Sequence, residues 1–269
     1  MALTEIQRDI CRLLAKQRIA SGESYVAGGA ALNEIIGGTR ISRDLDLFHD
    51  TREALAATWA SDRAALAGAG YQVELVVERP AFVEAVVHRG SDSVILQWTH
   101  DSAFRFFPLV EHTELGLTLH AFDLATNKVL ALAGRLEPRD WIDVIHCDAG
   151  LQPLGLLAWA ASGKDPGLSP PAILDQAGRS ARYSSSEIRA LAFDGEPPDA
   201  AALSRRWHTI LATAERFVDA LPSDRVGECV LANGDLFRGD PDELRGALQR
   251  GEIQFHPGSI RGAFPRFVE

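Results

Sequence analysis

Two carboxylates two residues apart, Asp44 and Asp46 in the stretch SRDLDLF, are the residues with the clearest capacity for chemistry. In a strand, successive side chains alternate, so both aspartates lie on one face, about 7 Å apart, while Leu45 and Leu47 point to the other. Paired carboxylates at a strand end suit a hard cation such as Mg²⁺. A second feature precedes them. Gly28-Gly29 follows the apolar Tyr25-Val26-Ala27 and leads into a segment with Leu32, Ile35 and Ile36. A strand–Gly-Gly–helix junction lets backbone N–H groups approach a phosphate, and a helix N-terminus favours its charge. Ser42, two residues before Asp44, falls on the carboxylate face, where its hydroxyl can reach a phosphate oxygen.

Each feature alone has a plain structural explanation: Asp-Leu-Asp as solvated surface, Gly-Gly as a turn. On consecutive strand ends separated by one short helix, they suit a reaction on a bound triphosphate. There the protein mainly positions reactants and neutralises charge. Two metals, or one metal and a lysine, clamp the phosphates while a hydroxyl attacks the α-phosphorus.

The surrounding pattern supplies the elements that position these groups. Thr4 and Gln7 match a capping box ahead of a helix with Ile6, Ile10, Leu13 and Leu14 on one face. Ile41 to Phe48 reads as a strand, and Thr51 to Ala67 as a helix turning Leu55, Trp59 and Leu66 inward. Tyr71 to Glu78, Phe82 to His88 and Val94 to Thr99 read as strands, with a turn at Arg89-Gly90-Ser91-Asp92. A further β-like stretch covers Leu115 to Phe122. Asp123 is expected to cap a helix reaching Leu136, and Pro138 to open another reaching Cys147. Beyond Gly150 helices dominate: Leu151 to Ala161, Pro171 to Gly178 and Ala200 to Leu221. A tail follows, with a hairpin at Asn233-Gly234-Asp235 and a helix around Glu243 to Gln249. The predicted class is α+β with a mixed sheet. The chain divides into a core domain, 1–148, and a mostly helical C-terminal domain with a small αβ tail, 149–269.

The Gly-Gly helix followed by Asp-x-Asp resembles the DNA polymerase β-type nucleotidyltransferase superfamily. The later stretch DLATNKVLALAGRLEPRDWIDVIHC is similar to the AbiEii/AbiGii toxin type within it. The resemblance covers roughly residues 20 to 148. It implies a polymerase-β-like core in which Gly28 and Gly29 cradle a nucleoside triphosphate and Asp44 and Asp46 bind Mg²⁺. It also implies that Lys128 contacts the nucleotide phosphates, and that Asp140 or Asp143 orients or deprotonates the acceptor hydroxyl. Helical spacing agrees: Lys128, Ala131 and Arg135 share a face, and Asp140 and Asp143, three apart, share another. A surface ion-pair network of Arg135, Arg139 and the aspartates is the structural alternative. The resemblance further implies an RNA acceptor, tRNA 3' ends in particular, and a cognate antitoxin as partner.

One position departs from the superfamily pattern. Where a third carboxylate is expected on a later strand, SVILQWTHDS places Gln97, which cannot take a proton. Asp101, Glu84 or the Asp140/Asp143 pair must replace it, or two-metal chemistry is weakened. Other groups fall away. His146-Cys147-Asp148 diverge on a helix and cannot chelate. Gly68-Ala69-Gly70 follows a helix and precedes a strand, the wrong order for a dinucleotide fingerprint. The tryptophans read as core, and Arg205-Arg206, Arg261 and Arg266 as solvated surface, with a basic edge for an acceptor RNA the functional alternative.

Composition sets outer limits. Hydrophobic residues are 46% and charged residues 24% of 269, as in an ordinary globular chain. No apolar run reaches the ~20 residues needed to span a bilayer. The N-terminus lacks signal-peptide order, and Cys11, Cys147 and Cys229 form no metal or disulfide pattern, so a soluble cytoplasmic protein is expected. A net charge of −10 gives general nucleic-acid binding no help. It leaves open a small-molecule acceptor of the aminoglycoside type, a protein acceptor, or a nucleotide-binding module with weakened turnover.

Overall fold

The computed structural model describes residues 2–179 and 183–265. Contacts divide them into two compact units, each described by itself. The first contains the described residues of Met1–Ala103, Leu109–His120 and Ala192–Asp194; the second contains Phe104–Pro108, Ala121–Leu191 and Gly195–Glu269. This differs from the division at 148/149 read from sequence, because the helices from Ala121 to Gly150 pack on later helices.

In chain order the first unit begins with α1 (Glu5–Ser21), β1 (Ser24–Ala27), α2 (Gly28–Ile36), β2 (Arg40–Ile41), β3 (Asp44–His49) and α3 (Arg52–Gly68). It continues with β4 (Gln72–Arg79), β5 (Phe82–Arg89) and β6 (Asp92–His100). After β7 (Phe104–Arg105), which belongs to the second unit, β8 (Val110–His112) and β9 (Gly116–Thr118) follow. Seven strands form one mixed sheet in the order β4-β5-β6-β3-β1-β9-β8. The β3–β6 and β1–β9 pairs are parallel and the others antiparallel.

The local rules explain these elements well. Thr4 and Gln7 form the expected reciprocal capping box of α1, and Thr51 caps α3. Gly37 ends α2 with φ 68°, a left-handed conformation that favours glycine. The strand expected from Ile41 to Phe48 is broken at Ser42-Arg43, which separates β2 from β3. In β3 the alternation holds: Leu45, Leu47 and His49 are buried, whereas Asp44, Asp46 and Phe48 are partly exposed. The buried face continues through Leu96 and Trp98 of β6. It is covered by α3, whose Trp59 ring meets Trp98 edge-on at 4.8 Å and whose Asp62 accepts the Trp98 Nε1 hydrogen bond at 2.9 Å.

The second unit contains α4 (Ala121–Arg135), α5 (Pro138–Gly150), α6 (Leu154–Ala161), α7 (Pro170–Gly178), α8 (Ser185–Arg189) and α9 (Ala200–Ala220). Between α8 and α9, β10 (Ala192–Phe193) returns to the first unit and pairs with β2. A tail of β11 (Glu228–Ala232), β12 (Asp235–Leu236), α10 (Pro241–Arg250), β13 (Ile253–Pro257) and β14 (Ser259–Ile260) completes the described chain. Leu156, Trp159, Phe217, Val230 and Leu244 share one core cluster, which ties the helices to this tail.

Two expectations near Phe122 change. The β-like stretch shrinks to Gly116–Thr118, and α4 begins at Ala121, so Asp123 lies inside the first turn rather than capping it. Its buried carboxylate instead accepts hydrogen bonds from the Phe106 and Phe107 backbone N–H groups at 2.9 and 3.0 Å, and pairs with Lys164 Nζ at 2.8 Å. Arg266 lies outside the described residues. Among the described residues, no helix is long and apolar enough to cross a membrane.

Candidate active site

The glycines and the first aspartate pair meet in the first unit. Antiparallel pairing of β1 with β3 sets Ala27 opposite Asp46, so the chain enters Gly28-Gly29 beside that carboxylate. Gly28 has φ 68°, and a β-carbon there would overlap the Asp46 carboxyl group. Glycine is thus required twice, by the backbone conformation and by the close approach. Gly29 faces the Arg40 guanidinium, with the Ser42 hydroxyl 3.2 Å from where its β-carbon would be. No side chain caps the start of α2. A nine-residue helix therefore presents its N-terminus beside Asp46 without a side-chain cap.

Asp44 and Asp46 share the partly exposed face of β3, as alternation demands. Ser42 is buried, and its hydroxyl donates to Asp44 Oδ1 at 2.7 Å, while its own carbonyl accepts from Gln7 Nε2 at 2.8 Å. Ser42 thus orients a carboxylate. Two carboxylates on one face fit a Mg²⁺ ion, which usually takes one or two from protein and the rest from water and phosphates. Among the described residues, no group of three or more His, Cys, Asp or Glu side chains could hold a metal.

The second group lies in the second unit. Leu136, at φ 53°, makes the sharp connection from α4 to α5, and the Tyr183 hydroxyl donates to its carbonyl. Across that turn, Lys128 of α4 reaches Asp140 Oδ1 at 2.8 Å and Asp143 Oδ2 at 3.2 Å of α5. Arg135 holds the other side of Asp140, with contacts of 2.6 Å from Nε to Oδ2 and 3.0 Å from Nη2 to Oδ1. Lys128, Asp140 and Asp143 are all buried. Burial acts to raise the Asp140 pKa, but the Arg135 hydrogen bonds and the Lys128 charge outweigh it and hold the carboxyl below its ordinary range. With two cations on it, Asp140 is a poor proton acceptor. Here the expected helical faces form a buried ion cluster rather than a surface network.

Two contributors escape a reading of local pattern. Gln7 fixes the Ser42 backbone from 35 residues away, and buried Arg40 stands against Gly29. The only local hint of Arg40 is a basic residue in the short segment between Gly38 and Asp44. Gln97 lies on β6, and the parallel pairing of β6 with β3 sets it beside Asp46. Asp101 lies beyond the end of β6, and Glu84 is directly opposite Gln97 on β5.

No family model matches the chain, and no curated protein is similar to it. Solved structures are. A candidate nucleotidyltransferase from H. pylori superposes with a TM-score of 0.53 at 13% identity, covering 80% of this chain and 96% of its own. JHP933 from Helicobacter pylori gives 0.53 at 13%, covering 81% and 95%. MenT4, the nucleotidyltransferase toxin Rv2826c from Mycobacterium tuberculosis H37Rv, gives 0.53 at 14%, covering 81% and 87%. The likeness is one of fold: this chain shares the α+β fold of these three structures.

Proposed function

We propose that this chain transfers a nucleoside monophosphate from a nucleoside triphosphate to a hydroxyl acceptor, with release of pyrophosphate, in a Mg²⁺-dependent reaction. The observation that carries this reading is the seating of the Asp46 carboxylate against Gly28, at the N-terminus of α2 and on the same strand face as Asp44. The helix N-terminus and glycine backbone receive phosphate oxygens. Asp44, oriented by Ser42, and Asp46 are the ligands for Mg²⁺, which when bound neutralises phosphate charge and polarises the α-phosphorus. Lys128 is proposed as the phosphate-contacting cation, with Asp140 and Asp143 holding its ammonium group in place.

RNA, in particular a tRNA 3' end, is the acceptor we favour, and a toxin held in check by a cognate antitoxin is the role. The fold shared with a structure named as a nucleotidyltransferase toxin supports the toxin part of this reading. The net charge of −10 supports a second reading, a small-molecule or protein acceptor without a polyanionic backbone.

Incubation with α-labelled triphosphates, Mg²⁺ and total RNA should label RNA and release pyrophosphate. Loss of one electrostatic stabiliser in such a site lowers turnover by about 10²–10³-fold, and Asp44→Asn and Asp46→Asn should each do so. Full transfer by the doubly substituted protein would overturn the metal assignment. Label appearing on kanamycin or on protein, but not on RNA, would move the acceptor to the second reading.

A further inference from the structure

We infer that Glu84 is the carboxylate that receives the acceptor's hydroxyl proton, and that Gln97 is the residue that positions it. The inference rests on the proposed transfer reaction and supplies the group that its site lacks.

The argument starts from strand register. Asp46 pairs with Gln97 across the parallel β3–β6 ladder, and Gln97 pairs with Glu84 across the antiparallel β6–β5 ladder. Paired residues in adjacent strands project to the same face, so Asp46, Gln97 and Glu84 form one row. That face is opposite the one covered by α3, and all three side chains on it are partly exposed. Gln97 Nε2 donates to Glu84 Oε2 at 2.7 Å, holding the carboxylate on the side facing Asp46.

The surroundings of Glu84 give this contact more than a structural meaning. Its neighbours on the same strand face are Phe82 and Val86, and its cross-strand partner on β4 is Val77, with Arg79 and Glu74 opposite Phe82 and Val86. Among the described residues no Lys, Arg or His pairs with it, and Gln97 is its hydrogen-bond partner. Glu84 is partly exposed, and one neutral amide donor leaves further oxygen lone pairs of its carboxylate available to a ligand on that face. Two strand spacings, about 10 Å between backbones, separate Glu84 from Asp46. That is enough to hold an acceptor hydroxyl and an α-phosphate in line between them.

The alternatives fit less well. Asp101 lies four residues beyond Gln97, about 13 Å along the chain, and its carboxylate accepts its neighbour Ser102 N–H. Asp140 is saturated by Lys128 and Arg135.

In the step assigned to Glu84, the hydroxyl oxygen forms its bond to the α-phosphorus while the bond from that phosphorus to the pyrophosphate bridging oxygen breaks. Pyrophosphate leaves, the hydroxyl proton ends on Glu84, and it then passes to solvent. Gln97 does not touch the reacting atoms.

The test uses the full chain with two readouts. One is binding of a non-hydrolysable α,β-methylene triphosphate with Mg²⁺ by calorimetry; the other is steady-state transfer of α-labelled nucleotide to total RNA, kanamycin or casein. Glu84→Gln should bind the analogue within about twofold of wild type and lose about 10²-fold or more in kcat, the usual worth of a general base. Glu84→Asp should recover part of the rate. Gln97→Leu should lower kcat by about tenfold with analogue binding and KM for the triphosphate unchanged. Glu78→Gln, on the other face of the same sheet, controls for charge loss. Transfer by Glu84→Gln within threefold of wild type overturns the inference and leaves the proposed function standing. Wild type that neither binds the analogue nor labels any acceptor overturns both.

Discussion

The Asp46 carboxylate rests against the Cα of Gly28, in the space that a β-carbon would fill. The proposed metal ligand and the proposed phosphate-binding turn are thereby one packed unit, so the position of either depends on the other. The contact also accounts for a glycine at 28 more strictly than the turn alone does.

Gly28→Ala should therefore act on both. An L-residue at φ 68° costs about 1–2 kcal/mol, and the added carbon must displace Asp46. The variant should melt several degrees lower and release pyrophosphate at least tenfold more slowly. Gly29→Ala should be milder, because Gly29 is not held at positive φ and the new carbon meets the far end of the Arg40 side chain and the Ser42 hydroxyl. Paired melting curves and pyrophosphate assays of the two variants check the order.

Ser42→Ala removes the 2.7 Å hydrogen bond to Asp44 but leaves both carboxylates. A hydrogen bond to a charged group contributes about 1.5–3 kcal/mol. Apparent Mg²⁺ affinity and turnover should fall about tenfold, with the melting temperature little changed. Activity titrated against Mg²⁺ reads the effect, and an unchanged curve would remove Ser42 from the site.

The Lys128–Asp140–Arg135 cluster should separate by burial. Asp140 is fully buried, so Asp140→Asn leaves Lys128 incompletely compensated and should destabilise the fold by about 3–5 kcal/mol. Arg135 is 49% exposed, and Arg135→Ala should cost about 1 kcal/mol or less. Urea unfolding of the two variants measures the contrast.

His49 gives a pH dependence of stability. It is buried, its Nδ1 lies 3.3 Å from the Thr99 carbonyl, and burial lowers its pKa from 6.5 to about 4. The unfolded chain binds the proton more readily, so this contribution is fully present above pH 6.5 and is lost as pH falls toward 4. Its full size is about 3 kcal/mol, at 1.36 kcal/mol for each pKa unit. In His49→Gln protein the fall in melting temperature between pH 6.5 and 4 should be shallower than in wild type; parallel curves would exclude His49 as its source.

The candidate site was legible where its geometry is local. A period of two puts Asp44 and Asp46 together, and a period of 3.6 puts Lys128 and Arg135 on one face. The capping box at Thr4 and Gln7 and the proline at the start of α5 were read from neighbours within four residues. Asp123 was misjudged because its partners, Phe106 and Phe107, lie 17 and 16 residues away, whereas a capping rule looks only along the helix.

By itself, then, the sequence determined the α+β class, the strand face shared by Asp44 and Asp46, and the glycine junction before them, because each follows from alternation, spacing or φ preference within one segment. Only the tertiary structure decided which strand lies beside which. That choice aligned Asp46, Gln97 and Glu84, although 51 and 13 residues separate them along the chain. It also gave Lys128 and Arg135 to the second unit, because α4 packs on α6 and α7. Register and unit membership come from burying whole faces at once, a sum over distant residues that no local window contains.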